Sequence, residues 1–172
     1  FVLNAKKNTL EHIKGSPLRI RSLTKVNEKI YLATRTGLYS FDGEKSQLID
    51  HSNDVSFSGV TQHNGKLLAT SFNRTFYNVD LAKGKISPLI EAHYFLFRNV
   101  IVDHNGSKWI NSRNGILVLK ETDTLTITEE LGLPSNDIDV IFEDAENNIW
   151  IGTNGKGLIR FTDEIFTYYN SS

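Results

Sequence analysis

Residues 131–161, LGLPSNDIDVIFEDAENNIWIGTNGKGLIRF, decide the fold because short apolar runs alternate in them with turn-forming gaps. With the residues that follow directly, four runs are found, at 139–142, 149–151, 157–161 and 165–169. Short runs rich in β-branched and aromatic residues, separated by Asn, Asp and Gly, predict β-strands. We label these runs strands a to d, and they predict one four-stranded antiparallel unit.

The same unit recurs along the chain. Four segments align with one another: 29–34, 65–70, 107–112 and 148–153. In this alignment one column is formed by Tyr31, Leu67, Trp109 and Trp150, spaced 36, 42 and 41 residues apart by subtraction of their numbers. Four-stranded repeats of about 40 to 45 residues are typical of β-propeller blades. Large side chains at this position are expected to wedge between neighbouring blades and supply much of the core.

The gaps between strands a and b carry the chemistry of tight turns. Asn64 and Gly65 occupy this gap in the second unit, and Asn105 and Gly106 occupy it in the third. Asn and Gly tolerate the positive φ that a tight hairpin requires. Apolar spacing of three and four residues never persists over the length of a helix, so the sequence predicts an all-β chain.

The repeat register predicts an incomplete propeller arc of about four and a half blades. Residues 1–3 and 9–13 match strands c and d of a blade that lacks strands a and b. The predicted divisions of this one propeller domain are a half blade at 1–14 and full blades at 15–51, 52–92, 93–131 and 132–172. The sequence has no methionine, even at position 1, so we expect a longer parent chain. Open blade faces predict self-association or cover by the remaining blades.

Composition excludes several classes of protein. Of the 172 residues, 39% are hydrophobic and 23% charged, which fits a globular domain, and the net charge of −1 gives no general attraction to nucleic acid. No apolar run approaches the length of a membrane helix, so we expect membrane attachment only through parts of the parent chain outside this sequence. The absence of cysteine excludes disulfides and thiolate metal sites.

No familiar catalytic motif is present, and we expect no catalytic residue, metal or cofactor. The nucleophile elbow, the zinc-binding His-Glu-x-x-His and the phosphate loop are all missing. Asp103 and Asp144 begin equivalent turns and, with Asn105 or Glu146, could ligate calcium through oxygen. Capping of backbone amides is the commoner role of Asp at the start of a turn, and we favour it.

Strand direction places the b-to-c and d-to-a connections at the same end of the ring. The b-to-c connections carry one basic residue per unit: Arg35, Arg74, Arg113 and Lys156. The d-to-a connections add Asn53, Tyr94, Asn136 and Asp137. Guanidinium groups bind carboxylate or sulfate, whereas amide and aromatic groups suit sugars, so this end is a candidate site for an acidic oligosaccharide. The alternative is that these loop residues are only solvated.

The fourth unit carries a more specific pattern. Gly132, Leu133, Pro134, Ser135 and Asn136 are followed by an acidic turn at 143–144, by Trp150, Ile151, Gly152 and Thr153, and by Gly157 and Leu158. This order resembles the two-component regulator propeller repeat. The third unit keeps part of the pattern, and the first two have lost the tryptophan.

The resemblance implies a seven-bladed propeller in the periplasmic sensor region of bacterial hybrid histidine kinases, many of which detect polysaccharide fragments. On that basis we expect a non-enzymatic sensing segment, in the extracytoplasmic part of an inner-membrane protein, with an oligosaccharide as signal. Two other classes stay open. One is a protein-interaction scaffold, although the signatures of WD repeats are absent. The other is a propeller polysaccharide lyase, which needs a base and a charge-neutralising group at the ring centre.

Overall fold

The computed structural model describes residues 2–4, 9–11, 17, 19–162 and 165–169. Within these ranges the chain forms strands and one short 3₁₀ turn, Glu129–Leu131. No helix in the described ranges is long and apolar enough to cross a membrane. The predicted all-β class is confirmed.

The strands form four four-stranded sheets and one two-stranded sheet, the incomplete propeller arc that the sequence predicts. The two-stranded sheet pairs β1 (Val2–Asn4) with β2 (Thr9–Glu11). Blade 1 contains β3 (Ile20–Val26), β4 (Lys29–Thr34), β5 (Gly37–Phe41) and β6 (Ser46–Leu48). Blade 2 contains β7 (Phe57–His63), β8 (Lys66–Ser71), β9 (Thr75–Asp80) and β10 (Lys85–Glu91). Blade 3 contains β11 (Phe97–Val102), β12 (Lys108–Ser112), β13 (Ile116–Leu119) and β14 (Thr124–Ile127). Blade 4 contains β15 (Ile138–Glu143), β16 (Ile149–Thr153), β17 (Leu158–Thr162) and β18 (Ile165–Tyr169).

Each blade is an antiparallel meander, in which every strand pairs with the strand that precedes it. The expected boundaries between full blades all fall in the connections that separate one sheet from the next. The sheet of β1 and β2 lies where strands c and d of a half blade were predicted, while Phe1, His12 and Ile13 lie outside the described residues. Asn64 and Gly65 both have positive φ, 49° and 73°, as the predicted tight turn requires.

The core lies between the blades. One buried cluster joins blades 1 and 2, a second joins blades 2 and 3, and a third joins blades 3 and 4. In the third, the ring of Trp109 from β12 packs against Phe161 from β17 with centroids 5.3 Å apart. Successive strand residues point to opposite faces, so a blade with apolar residues on both faces buries each face against a neighbour.

The first strand of each four-stranded blade, which we call the inner strand, is β3, β7, β11 or β15. Each of these strands contains a β-bulge near its start. Pairing with the second strand shifts register between Ile20 and Ser22 in blade 1, and at the corresponding place in the other three blades. The residues that stand at the bulge are Arg21, Ser58, Arg98 and Asp139. A bulge leaves one residue unpaired and redirects its side chain, so these four residues form one equivalent set.

The bulges correct the predicted repeat register in blade 2. Counted from the bulge, the residue equivalent to Tyr31 and Trp109 is Leu68, not Leu67. Leu68 packs toward blade 3, whereas Leu67 belongs to the cluster shared with blade 1. A shift of one residue moves a side chain to the opposite face of a sheet. The sequence alignment placed Thr70 of blade 2 opposite Thr34 of blade 1. In the structure, the residue that pairs with the first strand just before the bulge is Thr34 in blade 1 and Ser71 in blade 2.

Trp150 is only half-buried, which corrects the expectation that the whole column is core. Trp109, its equivalent in blade 3, is 4% exposed. Trp150 lies on the face of blade 4 that points away from blade 3, and no further blade follows within the described ranges. Its indole N–H donates to the Asp144 carboxylate at 2.6 Å, and its ring lies 6.1 Å from that of Tyr169.

The two tryptophans are therefore expected to differ in their contribution to stability. Trp109→Ala should lower the free energy of unfolding by about 3 to 5 kcal/mol, and Trp150→Ala by about 2 kcal/mol or less. Urea denaturation of both variants at several protein concentrations measures the difference. Equal losses would show that the outer face of blade 4 is covered in solution.

Candidate functional site

A cavity of about 680 Å³ opens at the bulge end of the inner strands, across blades 1 to 3. Its lining comes from six residues: Arg21, Ser58, Phe72, Leu96, Arg98 and Arg113. The volume lies within the range of about 300 to 1,000 Å³ that is usual for small-molecule sites.

The repeat explains how these side chains meet. Arg21, Ser58 and Arg98 are the bulge residues of the three inner strands. Phe72 and Arg113 each directly follow a second strand, and Leu96 directly precedes β11. Two positions of the repeat therefore supply five of the six lining residues.

Arg21 and Phe72 form a contact between blades 1 and 2. The guanidinium carbon of Arg21 lies 4.5 Å from the centroid of the Phe72 ring. A cation over an aromatic face is attracted by the ring quadrupole, which holds the guanidinium over the ring. The N–H groups in the guanidinium plane then stay available to a ligand.

Arg98 binds residues at the start of blade 4. Its Nη2 lies 2.9 Å from Asp137 Oδ1, and its Nη1 donates to the Ile138 carbonyl at 2.9 Å and to the Asp139 carboxylate. The side chain is only 22% exposed. The ion pair with Asp137 and the hydrogen bonds to Ile138 and Asp139 compensate the positive charge of Arg98 and tie the inner strand of blade 3 to that of blade 4.

Arg113, unlike Arg98, has a guanidinium group without a hydrogen-bonding or ionic partner among the described residues. It is exposed, and it makes no hydrogen bond or ion pair within the part of the chain that the structure describes. Ser58 is buried and donates its hydroxyl to Thr70 Oγ1 at 3.0 Å. Arg21 and Arg113 are therefore the two guanidinium groups with uncompensated charge in the cavity.

Of the four predicted basic residues, Arg113 lines the cavity and the other three lie elsewhere. Arg35 lines a separate depression with Arg19 and Tyr39, on the side of blade 1 that faces away from blade 2. Arg74 donates to the His93 carbonyl. Lys156 is exposed in the connection between β16 and β17.

The predicted residues of the d-to-a connections serve mainly local contacts. The Asn53 amide donates to Asp54 at 3.3 Å, and Tyr94 is 85% exposed. Asn136 accepts the Glu129 N–H at 2.8 Å, and Asp137 is paired with Arg98. None of these four residues is among those lining the cavity.

Sequence reasoning missed Arg21, Phe72 and Arg98. The available signal was the spacing of Arg21 and Arg98, which both follow an apolar residue at the start of strand a. A bulge cannot be seen in the alternation of a single short strand, so this spacing alone does not show that the two arginines line a common cavity.

The turn aspartates accept indole N–H groups. Asp103 accepts from Trp109 at 2.8 Å and from the Ser107 amide at 2.8 Å. Asp144 makes the same indole contact to Trp150 and accepts the Asn148 amide at 2.8 Å. The described residues contain no group of three or more side chains suited to a metal ion. Both carboxylates therefore serve as turn caps that also hold a tryptophan.

The last blade carries the sequence signature of a known repeat. Residues 132–155 match the family model described as two component regulator propeller. The comparison with curated proteins found no match.

Solved structures share the fold at low sequence identity. An extracellular domain of a putative hybrid two component system from B. thetaiotaomicron has 21% identity and a TM-score of 0.69, over 92% of this chain and 25% of that one. An extracellular domain of a putative one component system from the same organism has 20% identity and a TM-score of 0.67, over 88% and 29%. Virginiamycin B lyase from Staphylococcus aureus has 16% identity and a TM-score of 0.69, over 86% and 54%. The chain therefore spans about half or less of each structure, and these similarities establish the propeller fold.

The turn of blade 4 predicts a dependence of stability on pH. The hydrogen bond from the Trp150 indole, with those from Asn148, holds the pKa of Asp144 below its ordinary value of 3.8. A lowered folded-state pKa stabilises the fold above the unfolded-state pKa, and this stabilisation is lost as pH falls through the folded-state value. Thermal melts should show wild type more stable than Asp144→Asn at pH 6, with the difference disappearing by about pH 2. A difference that does not change with pH would contradict this account.

Proposed function

We propose that this chain is a ligand-sensing segment of an extracytoplasmic propeller in a two-component sensor, and that its signal is an oligosaccharide. The match of residues 132–155 to the regulator propeller family and the fold shared with extracellular sensor domains support the first part. The cavity at the bulge end supports the second.

The cavity is the observation that carries this proposal. Phe72 and Leu96 are each more than a third exposed there, beside two guanidinium groups with free donors. Sugars are bound by aromatic faces that contact the ring and by polar groups that contact the hydroxyls. The lining of this cavity combines the two.

The position of the cavity suits signalling. Inner strands of three blades contribute to it, so one ligand contacts three blades at once. A ligand shifts a conformational equilibrium only if it binds one arrangement more tightly than the other. A site shared between blades allows such a difference, because the relative positions of the blades set the distances between its side chains. The kinase that reads the change belongs to the longer parent protein.

A lyase function is less well supported, although virginiamycin B lyase shares the fold. Lyase chemistry needs a general base within hydrogen-bonding reach of the proton that it removes. The six lining residues comprise three arginines, one serine, one phenylalanine and one leucine, and the serine is already a donor to Thr70. This composition favours binding over proton abstraction.

Binding is tested by calorimetry on the full chain with a panel of neutral and acidic oligosaccharides. We expect at least one to bind, and Phe72→Ala to weaken that binding by about 5- to 10-fold through loss of an aromatic contact.

The matched control is Phe142→Ala. Phe142 is 59% exposed on the outer face of blade 4, away from the cavity, so its removal should leave affinity unchanged. A panel without any binding partner, or equal losses in the two variants, would count against the proposed function.

A further inference from the structure

The three arginines of the cavity differ in whether a neighbouring carboxylate compensates their charge. Arg98 is compensated by Asp137 and Asp139, whereas Arg21 and Arg113 face no carboxylate among the lining residues. A cation over an aromatic ring keeps its formal charge, so the contact with Phe72 does not neutralise Arg21. Two uncompensated positive charges therefore line the cavity, Arg21 from blade 1 and Arg113 from blade 3.

We infer that Arg21 and Arg113 form a subsite for one anionic group of the ligand, a carboxylate or a sulfate. This inference rests on the proposed function and names the chemistry of that same site. A guanidinium presents parallel N–H donors that match the oxygens of either group. The apolar surfaces of Phe72 and Leu96 lie beside the subsite and receive the sugar ring that carries the anion.

The neighbouring carboxylates limit how much negative charge the cavity accepts. Asp137 and Asp139 lie against Arg98, which is itself a lining residue. A second anionic group beyond Arg98 would meet these carboxylates, and like charges at short range are unfavourable. The cavity therefore selects ligands with one anionic group near the bound ring over densely sulfated chains.

Arg21 is positioned before the ligand arrives. Its guanidinium lies on Phe72, which restricts the side chain without occupying its N–H groups. Because an ordered side chain loses less entropy on binding, Arg21 should contribute more to affinity than an unrestrained surface arginine. Phe72 thus has two roles, as a contact for sugar and as a support for Arg21.

Calorimetry on the full chain with three probes tests the subsite. The probes are a galactose trimer in which one sugar is galacturonic acid, the methyl ester of that trimer, which is neutral, and a galactose trimer carrying one sulfate. We expect the acid or the sulfated trimer to bind at least about 10-fold more tightly than the ester, with the difference shrinking at high salt. The ratio of acid to sulfate affinity tells which of the two anionic groups the subsite prefers.

Variants identify the residues. Arg21→Gln and Arg113→Gln should each weaken anionic binding by about 10-fold, and the double variant should bind acid and ester equally. Arg21→Lys keeps the charge but loses the planar donors, so we expect partial recovery. Lys66→Gln removes an exposed positive charge at the start of β8, at the opposite end of the blade, and should leave affinity unchanged. Unchanged melting temperatures confirm that the variants are folded.

The outcomes separate this inference from the proposed function. If the ester binds as tightly as the acid and the sulfated trimer, the subsite is wrong while oligosaccharide binding stands. If none of the probes and none of the wider panel binds, both fail. Arg35→Gln provides a further check, because Arg35 occupies the position of Arg113 in blade 1 but lies outside the cavity. A loss equal to that of Arg113→Gln would favour a ring of basic loops and overturn the assignment to the cavity.

Discussion

A blade in this fold is a single sheet with two apolar faces, so each blade gains stability from a neighbour on either side. The three buried clusters lie at the three junctions between the four blades. Large residues such as Tyr31, Leu68 and Trp109 fill these junctions because each lies on the face that points to the next blade. The burial of any side chain in a propeller thus depends on the blade beside it as much as on its own sheet.

The bulge of the inner strand connects this packing to the candidate site. It leaves one residue per blade outside the ladder and redirects the side chain of that residue. In the four blades that position holds Arg21, Ser58, Arg98 and Asp139. Asp139 pairs with Arg98, so two neighbouring bulge residues clamp blades 3 and 4 while Arg21 stays available. One structural position therefore supplies both an interblade ion pair and a residue that lines the cavity.

The sequence predicted most of the fold because strand composition and turn chemistry are local. It predicted a strand at 149–151 where the structure has Ile149–Thr153, and it placed a tight turn at Asn64 and Gly65. It failed in blade 2, where adjacent leucines give the same apolar pattern in two registers and only pairing across the bulge distinguishes them.

The candidate site was predicted less well, for a related reason. The sequence shows one basic residue in each b-to-c connection, but Arg74 and Lys156 do not stand at the same place in their connections as Arg113. These connections differ in length, and the first residue after each second strand is Arg35, Phe72, Arg113 and Asn154. In blades 2 and 3 this first position lines the cavity, and it is a phenylalanine in blade 2. Loop length and the bulge together decide which side chains converge, and neither can be seen in composition.

The outer face of blade 4 shows the same dependence on a neighbour. Val140 and Phe142 are more than half exposed there, and Arg160 pairs with Trp150 at the place where blade 3 has Val118. Nε of Arg160 is buried and has no hydrogen-bond partner within the described part of the chain. Covering this face with apolar side chains alone would enclose a guanidinium without an acceptor, which is unfavourable. A surface that packs on blade 4 therefore has to differ from the one that packs on blade 3, because it must present an oxygen acceptor to Arg160 among its apolar contacts.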